Sequence, residues 1–175
     1  MSSVVETFRD ILLLRRGPQD LPYSTQLLVT VAALSIAAQL PVAWIREISV
    51  GMVLVGSALA LAFSLGLLRL LLTLRDKGSR FVQTATAFVG CDVAFKVMGI
   101  PVALLFGTPP QTAEQMTGAQ MLAGLIALPL LIWKVMVDAH VFRHSLDISF
   151  GGGISVALMW ILAAVALASL SGAPA

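Results

Sequence analysis

Hydrophobic positions along this chain gather into long apolar runs separated by short polar joints. The first stretch, Val4 to Arg16, has a different pattern. Val5, Phe8, Ile11, Leu12 and, at the edge, Val4 fall on one helical face, while Glu6, Arg9, Asp10 and Arg16 lie mostly away from it. This spacing predicts an amphipathic helix of about 13 residues, too short to span a bilayer and suited to its interface. Gly17-Pro18 is expected to stop it, and Pro22 to keep the following stretch non-helical.

Five longer runs follow, at about 24–43, 49–74, 81–106, 118–137 and 152–170. Each is long and apolar enough to read as a transmembrane helix. Ser24 is the expected N-cap of the first, and Trp44 suits the membrane interface at its far end. The second carries Gly51, Gly56, Ser57, Ala60 and Ser64, small residues that predict close approach of a neighbouring helix. Residues Arg75 to Arg80 form a polar turn. In the third, Asp92 and Lys96 interrupt the apolar run and Pro101 is expected to kink it. Gly107 to Thr117, with two prolines and Glu114, is the longest loop between spans. Pro129 lies near the middle of the fourth run. Asp138 to Phe150 reads as a polar connection, and Gly151-Gly152-Gly153 as a flexible hinge into the last helix. The predicted fold class is all-α: a polytopic membrane helix bundle at 24–175, preceded by an interfacial segment at 1–23.

Composition strengthens this picture. The chain is 58% hydrophobic and 11% charged, with a mean hydropathy of +0.95. Soluble domains are about 25% charged, and none of this size hides so much apolar surface. Lipid removes the difficulty, because it demands no polar exterior over the hydrocarbon band. The net charge of +2 does not indicate nucleic acid, since the basic residues flank apolar runs and form no dense cluster with interleaved aromatics. A single cysteine, Cys91, excludes an internal disulfide and reads as a buried packing residue. The segment before Leu27 is a poor signal-peptide n-region, so the mature chain is expected to begin at Met1.

Charge also sets an orientation. With the N-terminus in the cytoplasm, nine of the 11 basic residues fall inside, Arg46 falls outside and Lys96 lies within a span. The positive-inside rule therefore predicts a cytoplasmic N-terminus and an external C-terminus.

Few residues carry candidate chemistry. Asp92 lies twelve residues past Arg80, about 18 Å along a helix axis and near the centre of a ~30 Å hydrocarbon core. An unpaired charge there costs about 2.5–3.5 kcal/mol. Lys96 follows at i+4, the favourable orientation for a helical ion pair. Either the two neutralise each other and fix helix packing, or they serve an ion, proton or substrate pathway. Lys134 and Asp138 repeat the spacing on the fourth run, where snorkelling of Lys134 is the plain expectation. His140, His144 and Asp147 share a face if the segment is helical. That is a weak transition-metal pattern against the commoner exposed juxtamembrane histidines. No acid pair, catalytic dyad, phosphate loop or nucleophile elbow is present, so no catalytic, cofactor-binding or metal residue is assigned and no enzyme is expected.

The layout resembles the Yip family of small five-span membrane proteins. The likeness is carried by the N-terminal segment, five closely spaced spans and the charged stretch Asp138 to Ser149 before the last helix. The segment Leu14 to Pro22 is similar to that of small uncharacterised bacterial inner-membrane proteins, which implies a bacterial inner (plasma) membrane location. The resemblance covers most of the chain and is architectural. Eukaryotic members of the family act in vesicle traffic with Rab-type GTPases and carry an Asp-Leu-Tyr-Gly-Pro motif. That motif is absent here, where Gly17-Pro18 precedes Asp20-Leu21, so GTPase binding is not carried over.

Two functions of different class follow. One is a membrane-embedded scaffold whose partners are the lipid bilayer and other membrane proteins or further copies of itself. The alternative is a small oligomeric transporter or channel using Asp92 and Lys96. A cavity reaching Asp92 favours the transporter, and a dry pair packed between helices favours the scaffold.

Overall fold

A computed structural model describes residues 3–108, 110, 112 and 115–170 of the chain. The first helix, α1, spans Val4–Leu12. A reciprocal capping box starts it: the Ser3 hydroxyl accepts the Glu6 N–H at 3.1 Å, and the Glu6 carboxylate accepts the Ser3 N–H at 2.9 Å. It ends four residues short of Arg16. Leu14 adopts a left-handed backbone at φ 60°, and the N–H groups of Arg15 and Arg16 both turn back onto the Asp10 carbonyl. A 3₁₀ turn, Pro18–Asp20, follows Gly17.

The first membrane segment is two helices, α2 (Thr25–Ala37) and α3 (Leu40–Ile45), which together form one of five candidate spans, Thr25–Ile45. Ser24 caps α2 by accepting the Leu27 N–H at 3.1 Å. The break follows from Pro41, which has no N–H to offer the carbonyl of Ala37. The other spans are α4 (Val50–Leu74), α5 (Phe81–Phe106), α6 (Gly118–Leu146) and α7, which begins at Phe150 and runs to Leu170. The chain is an all-α polytopic membrane protein. Glu114 and Pro109, expected in the longest loop, lie outside the described residues.

Two expectations change. First, α6 does not stop at 137 but continues to Leu146, so the polar stretch expected to be a connection is mostly helix. Its polar groups are held by protein: His140 Nε2 lies 2.9 Å from the Arg16 carbonyl, and the Ser145 hydroxyl donates to the Val141 carbonyl. Helices α5 and α6 remain helical through Pro101 and Pro129. Second, Gly151–Gly153 is not a hinge. All three glycines are helical, and a Cβ on Gly153 would collide with the Ala139 backbone carbonyl. Glycine at 153 is what lets α7 cross α6 closely.

The interior gathers at one end of the bundle. Most of residues 82–91 of α5 and 137–146 of α6 are buried, whereas the stretches toward Phe106 and Gly118 expose most of their large apolar side chains. Phe88, Phe142 and Trp160 join α5, α6 and α7 there, with ring centroids 5.1–5.5 Å apart. Each such pair contributes about 0.5–1.5 kcal/mol beyond area burial. Helix α1 seals the same end. Ile11 is fully buried, the Phe8 ring occupies the place a Cβ on Gly90 would take, and the Trp133 indole N–H donates to the Leu12 carbonyl at 3.0 Å. The small residues of α4 serve differently from expectation. A Cβ on Gly56 meets nothing within 4 Å, so this face leaves space instead of admitting a close neighbour.

Candidate functional site

Two i,i+4 charge pairs meet where α5 crosses α6. The helices are consecutive and antiparallel: Arg80 lies against the Ser145 end of α6, and the Gln120 amide donates to the Phe106 carbonyl at the other end. This register brings Asp92 and Lys96 of α5 opposite Lys134 and Asp138 of α6. Lys96 Nζ is 2.8 Å from Asp92 Oδ2, Lys134 Nζ is 3.4 Å from Asp92 Oδ1, and Lys134 Nζ is 2.9 Å from Asp138 Oδ2. The result is a neutral ladder, Lys96–Asp92–Lys134–Asp138, instead of two separate pairs.

The surroundings hold each member differently. Lys96 donates to the Ser35 hydroxyl at 2.7 Å and to the Ser35 carbonyl at 3.2 Å, so α2 closes that end. Lys134 lies over the rings of Phe88 and Phe95, 5.6 and 5.8 Å from their centroids. Such cation–π contacts strengthen as water is excluded. Lys134 therefore does not snorkel to an interface; it turns inward because Asp92 and Asp138 flank it. Asp138 is 4% exposed, and its Oδ1 is the buried side-chain oxygen without a hydrogen-bond partner among the described residues. Ser35 was not anticipated, since a lone serine in an apolar run is indistinguishable from a packing residue. Gln83, Thr84 and Thr86 do not reach Asp92. Gln83 donates to the carbonyls of Gln19 and Leu21, and the two threonines bond backbone carbonyls of their own helix.

Both helices that carry the ladder exceed the hydrocarbon core in length. Helix α5 has 26 residues and α6 has 29, about 39 and 43 Å long against a hydrocarbon core of ~30 Å. Asp92 lies near the midpoint of α5, about 17 Å along the axis from Phe81 and about 21 Å from Phe106.

Asp92 borders three cavities. One, of about 430 Å³, runs between the exposed parts of α5 and α6, with Lys96, Lys134 and Arg46 among its polar walls and Gly99, Ala103 and Ala127 among its small ones. A second, of about 100 Å³, lies among α2, α4 and α5 beside Ser35, Ser57 and Ser64. A third, of about 390 Å³, lies among α4, α5, α6 and α7 and is bordered by Lys134, Asp138, Trp160 and Ala164. Asp92, Lys96 and Lys134 keep 24%, 22% and 25% of their side-chain surface exposed, so the ladder is not sealed.

The other predicted polar residues separate. His140 and His144 do share a face, with ring centroids 4.5 Å apart, but His140 is buried, not exposed at a headgroup surface. Asp147 turns away to the joint between α4 and α5, where it pairs with Lys77 at 2.7 Å and Arg80 at 2.9 Å. The hydrogen bonds from Arg80 and Lys77 hold its carboxyl down at about 2. Arg80 also donates to the His144 carbonyl at 3.2 Å, tying the α4–α5 joint to the end of α6. No group of three or more His, Cys, Asp or Glu side chains is placed to hold a metal ion among the described residues. Cys91 is buried in the apolar core.

Compared with known proteins, the chain matches no family model, no curated protein and no solved structure.

Proposed function

We propose that this multipass membrane protein is a small transporter whose working site is the Lys96–Asp92–Lys134–Asp138 ladder. The observation that carries the reading is that Asp92 forms part of the wall of three cavities while paired to two lysines. A pair serving only to fix packing is best kept dry, because removing water strengthens it. Here the ladder borders open space, and an intramembrane charge cluster beside a cavity is the usual mark of a solute or proton path. No covalent chemistry is required of these residues, and we assign no enzymatic activity. We place the chain in a bacterial inner membrane with Arg9, Arg15, Arg16 and the Arg75–Arg80 joint on the cytoplasmic side, following the positive-inside rule. The five spans support a polytopic membrane protein and no family match supports the Yip resemblance, which carries no activity over.

Aqueous access tests the reading. In a Cys91→Ala background, Gly99→Cys, Ala127→Cys and Ala164→Cys are placed singly in proteoliposomes and exposed to a charged, membrane-impermeant thiosulfonate, with Ser79→Cys as the exposed control. Modification at the cavity positions is expected. Complete protection of all three, with Ser79→Cys modified, would mean that lipid or protein fills the cavities and that no polar path exists.

A second reading, a membrane scaffold binding another membrane protein or itself, is favoured by α4. Its face carries exposed Met52, Val55 and Leu59, and a Cβ on Gly56 or Gly66 meets nothing within 4 Å. Disulfide formation between copies carrying Gly56→Cys or Gly66→Cys in native membranes supports self-association, and its absence counts against self-association.

A further inference from the structure

One face of α4 combines open space with polar groups. Val53, Gly56, Ser57, Ala60 and Ser64 recur there at helical spacing and border two cavities. The first, of about 300 Å³, begins at the joint between α3 and α4, where Arg46 and Ile48 border it. The second is the 100 Å³ cavity beside Ser35, Asp92 and Lys96. Gln39, Ser57 and Ala60 belong to the walls of both, so the two lie in one line from that joint to the ladder. Ser57 is about 10 Å and Ser64 about 21 Å along α4 from Val50. A serine or threonine hydroxyl within a helix commonly donates to the carbonyl four residues back, as Thr30, Thr73 and Ser155 do. The hydroxyls of Ser57 and Ser64 and the amide of Gln39, all half-buried, form no hydrogen bond among the described residues. A polar group left without a partner inside an apolar span carries a desolvation penalty, and water removes it. A cavity holds water when it is roomy and polar, and 100 Å³ takes about three molecules at ~30 Å³ each. Gln39, Ser57, Ser64, Asp92 and Lys96 supply the hydrogen-bonding partners. Asp92 and Lys96 keep 24% and 22% of their side chains exposed. Water also suits a charge-neutral ladder, since it brings no charge to be balanced and breaks no ion pair.

We infer that a chain of about three water molecules in the cavity among α2, α4 and α5 joins Asp92 and Lys96 to the α3–α4 joint, and that this is the aqueous entrance to the ladder. This rests on the transporter reading and names what reaches that site from the α4 side: water, and the protons that water relays. Small-molecule sites measure ~300–1,000 Å³, so the 100 Å³ waist excludes a larger solute. The small residues of α4 keep this line open.

The test uses silver ion, a small hydrated probe that reacts with thiols. Silver nitrate in chloride-free buffer is added to proteoliposomes of the full-length Cys91→Ala protein carrying one new cysteine, and thiols left unreacted are counted by maleimide labelling after denaturation. Gln39→Cys and Ser57→Cys should react at least tenfold faster than Val55→Cys and Leu59→Cys, which lie at neighbouring depth on the exposed face of α4. Ser64→Cys should also react fast. Adding Ser57→Leu, which fills the line with an apolar side chain and leaves the ladder intact, should slow Ser64→Cys at least tenfold. If Ser57→Leu fails to fold, as judged by size-exclusion profile, Ala60→Leu takes its place, since Ala60 borders both cavities. Equal rates at the path and exposed-face positions overturn the inference. So does a Ser64→Cys rate that the filling variant leaves unchanged, because its water would then come from the 390 Å³ cavity that Ser64 also borders. Thiosulfonate modification at the three cavity positions with Gln39→Cys and Ser57→Cys unreactive to silver removes this inference alone. Silver reaction along the line with all three cavity cysteines protected removes the transport reading and keeps the water chain.

Discussion

Lys134→Met is the most damaging single change in the ladder, because of how the four charges are connected. Removing Lys96 leaves Asp92 paired with Lys134, and removing Asp138 leaves Lys134 paired with Asp92. Removing Asp92 leaves Lys134 on Asp138 and Lys96 on the Ser35 oxygens. Only the loss of Lys134 leaves an acid without a cation: Asp138, 4% exposed, loses its sole ion-pair partner among the described residues. Stranding a buried charge in this way costs about 3–5 kcal/mol. The apolar stem of Met retains most of the packing on Phe88 and Phe95, so the loss is electrostatic. Lys96→Met should cost about 1 kcal/mol, since its pair is partly exposed and Asp92 keeps a cation. The double variant Lys134→Met/Asp138→Leu removes both charges and should recover more than half of the loss, a coupling of about 2 kcal/mol or more. The assay is thermal unfolding in detergent, followed by circular dichroism. At roughly 2–4 °C per kcal/mol for a chain of this size, Lys134→Met should lower Tm by about 6–20 °C and Lys96→Met by under about 5 °C. Equal Tm losses for the two lysine variants, or a double variant no better than Lys134→Met, would refute the ladder as drawn.

Gly153→Ala should destabilise by about 1–3 kcal/mol, because its Cβ meets the Ala139 backbone carbonyl, which cannot swing aside as a side chain would. Gly151→Ala, with nothing within 4 Å, should be neutral or stabilise by up to ~1 kcal/mol, and parallel melts of the two variants decide. Asp147, held at about 2 by Arg80 and Lys77, contributes stability that is present above the ordinary carboxylate range and lost as pH falls through about 2. Asp147→Asn, which also tolerates the left-handed φ of 52°, should flatten the Tm–pH curve between about pH 4 and 2. Trp133→Phe removes the indole donor to the Leu12 carbonyl and should weaken α1 docking by about 1 kcal/mol, read as faster limited proteolysis near Leu14. Proteolysis unchanged from wild type would mean that the apolar contacts of Phe8 and Ile11 hold α1 without this hydrogen bond.

Much of the architecture was legible along the chain because lipid imposes a one-dimensional rule. A span must be long, apolar and helical to satisfy its own backbone, so 81–106 could be read to the residue as α5 and 49–74 to within one residue as α4. Ser24 as an N-cap and the Asp92–Lys96 pair were legible for the same reason, since both are contacts within a few residues of one helix. Contacts between helices were not. Lys134 looked like a snorkelling lysine, and only the antiparallel register of α5 against α6 makes it the bridge between two acids. The polar run from Asp138 read as a connection because hydropathy cannot see that Arg16 supplies a carbonyl to His140 from 124 positions away. The glycine at 153 read as a hinge because its neighbour, the Ala139 carbonyl, belongs to another helix. Local free energy, the cost of an apolar run in water or a polar backbone in lipid, is written in sequence order. The pairing of a buried charge depends on which helix lies beside it, and that is decided only when the bundle packs.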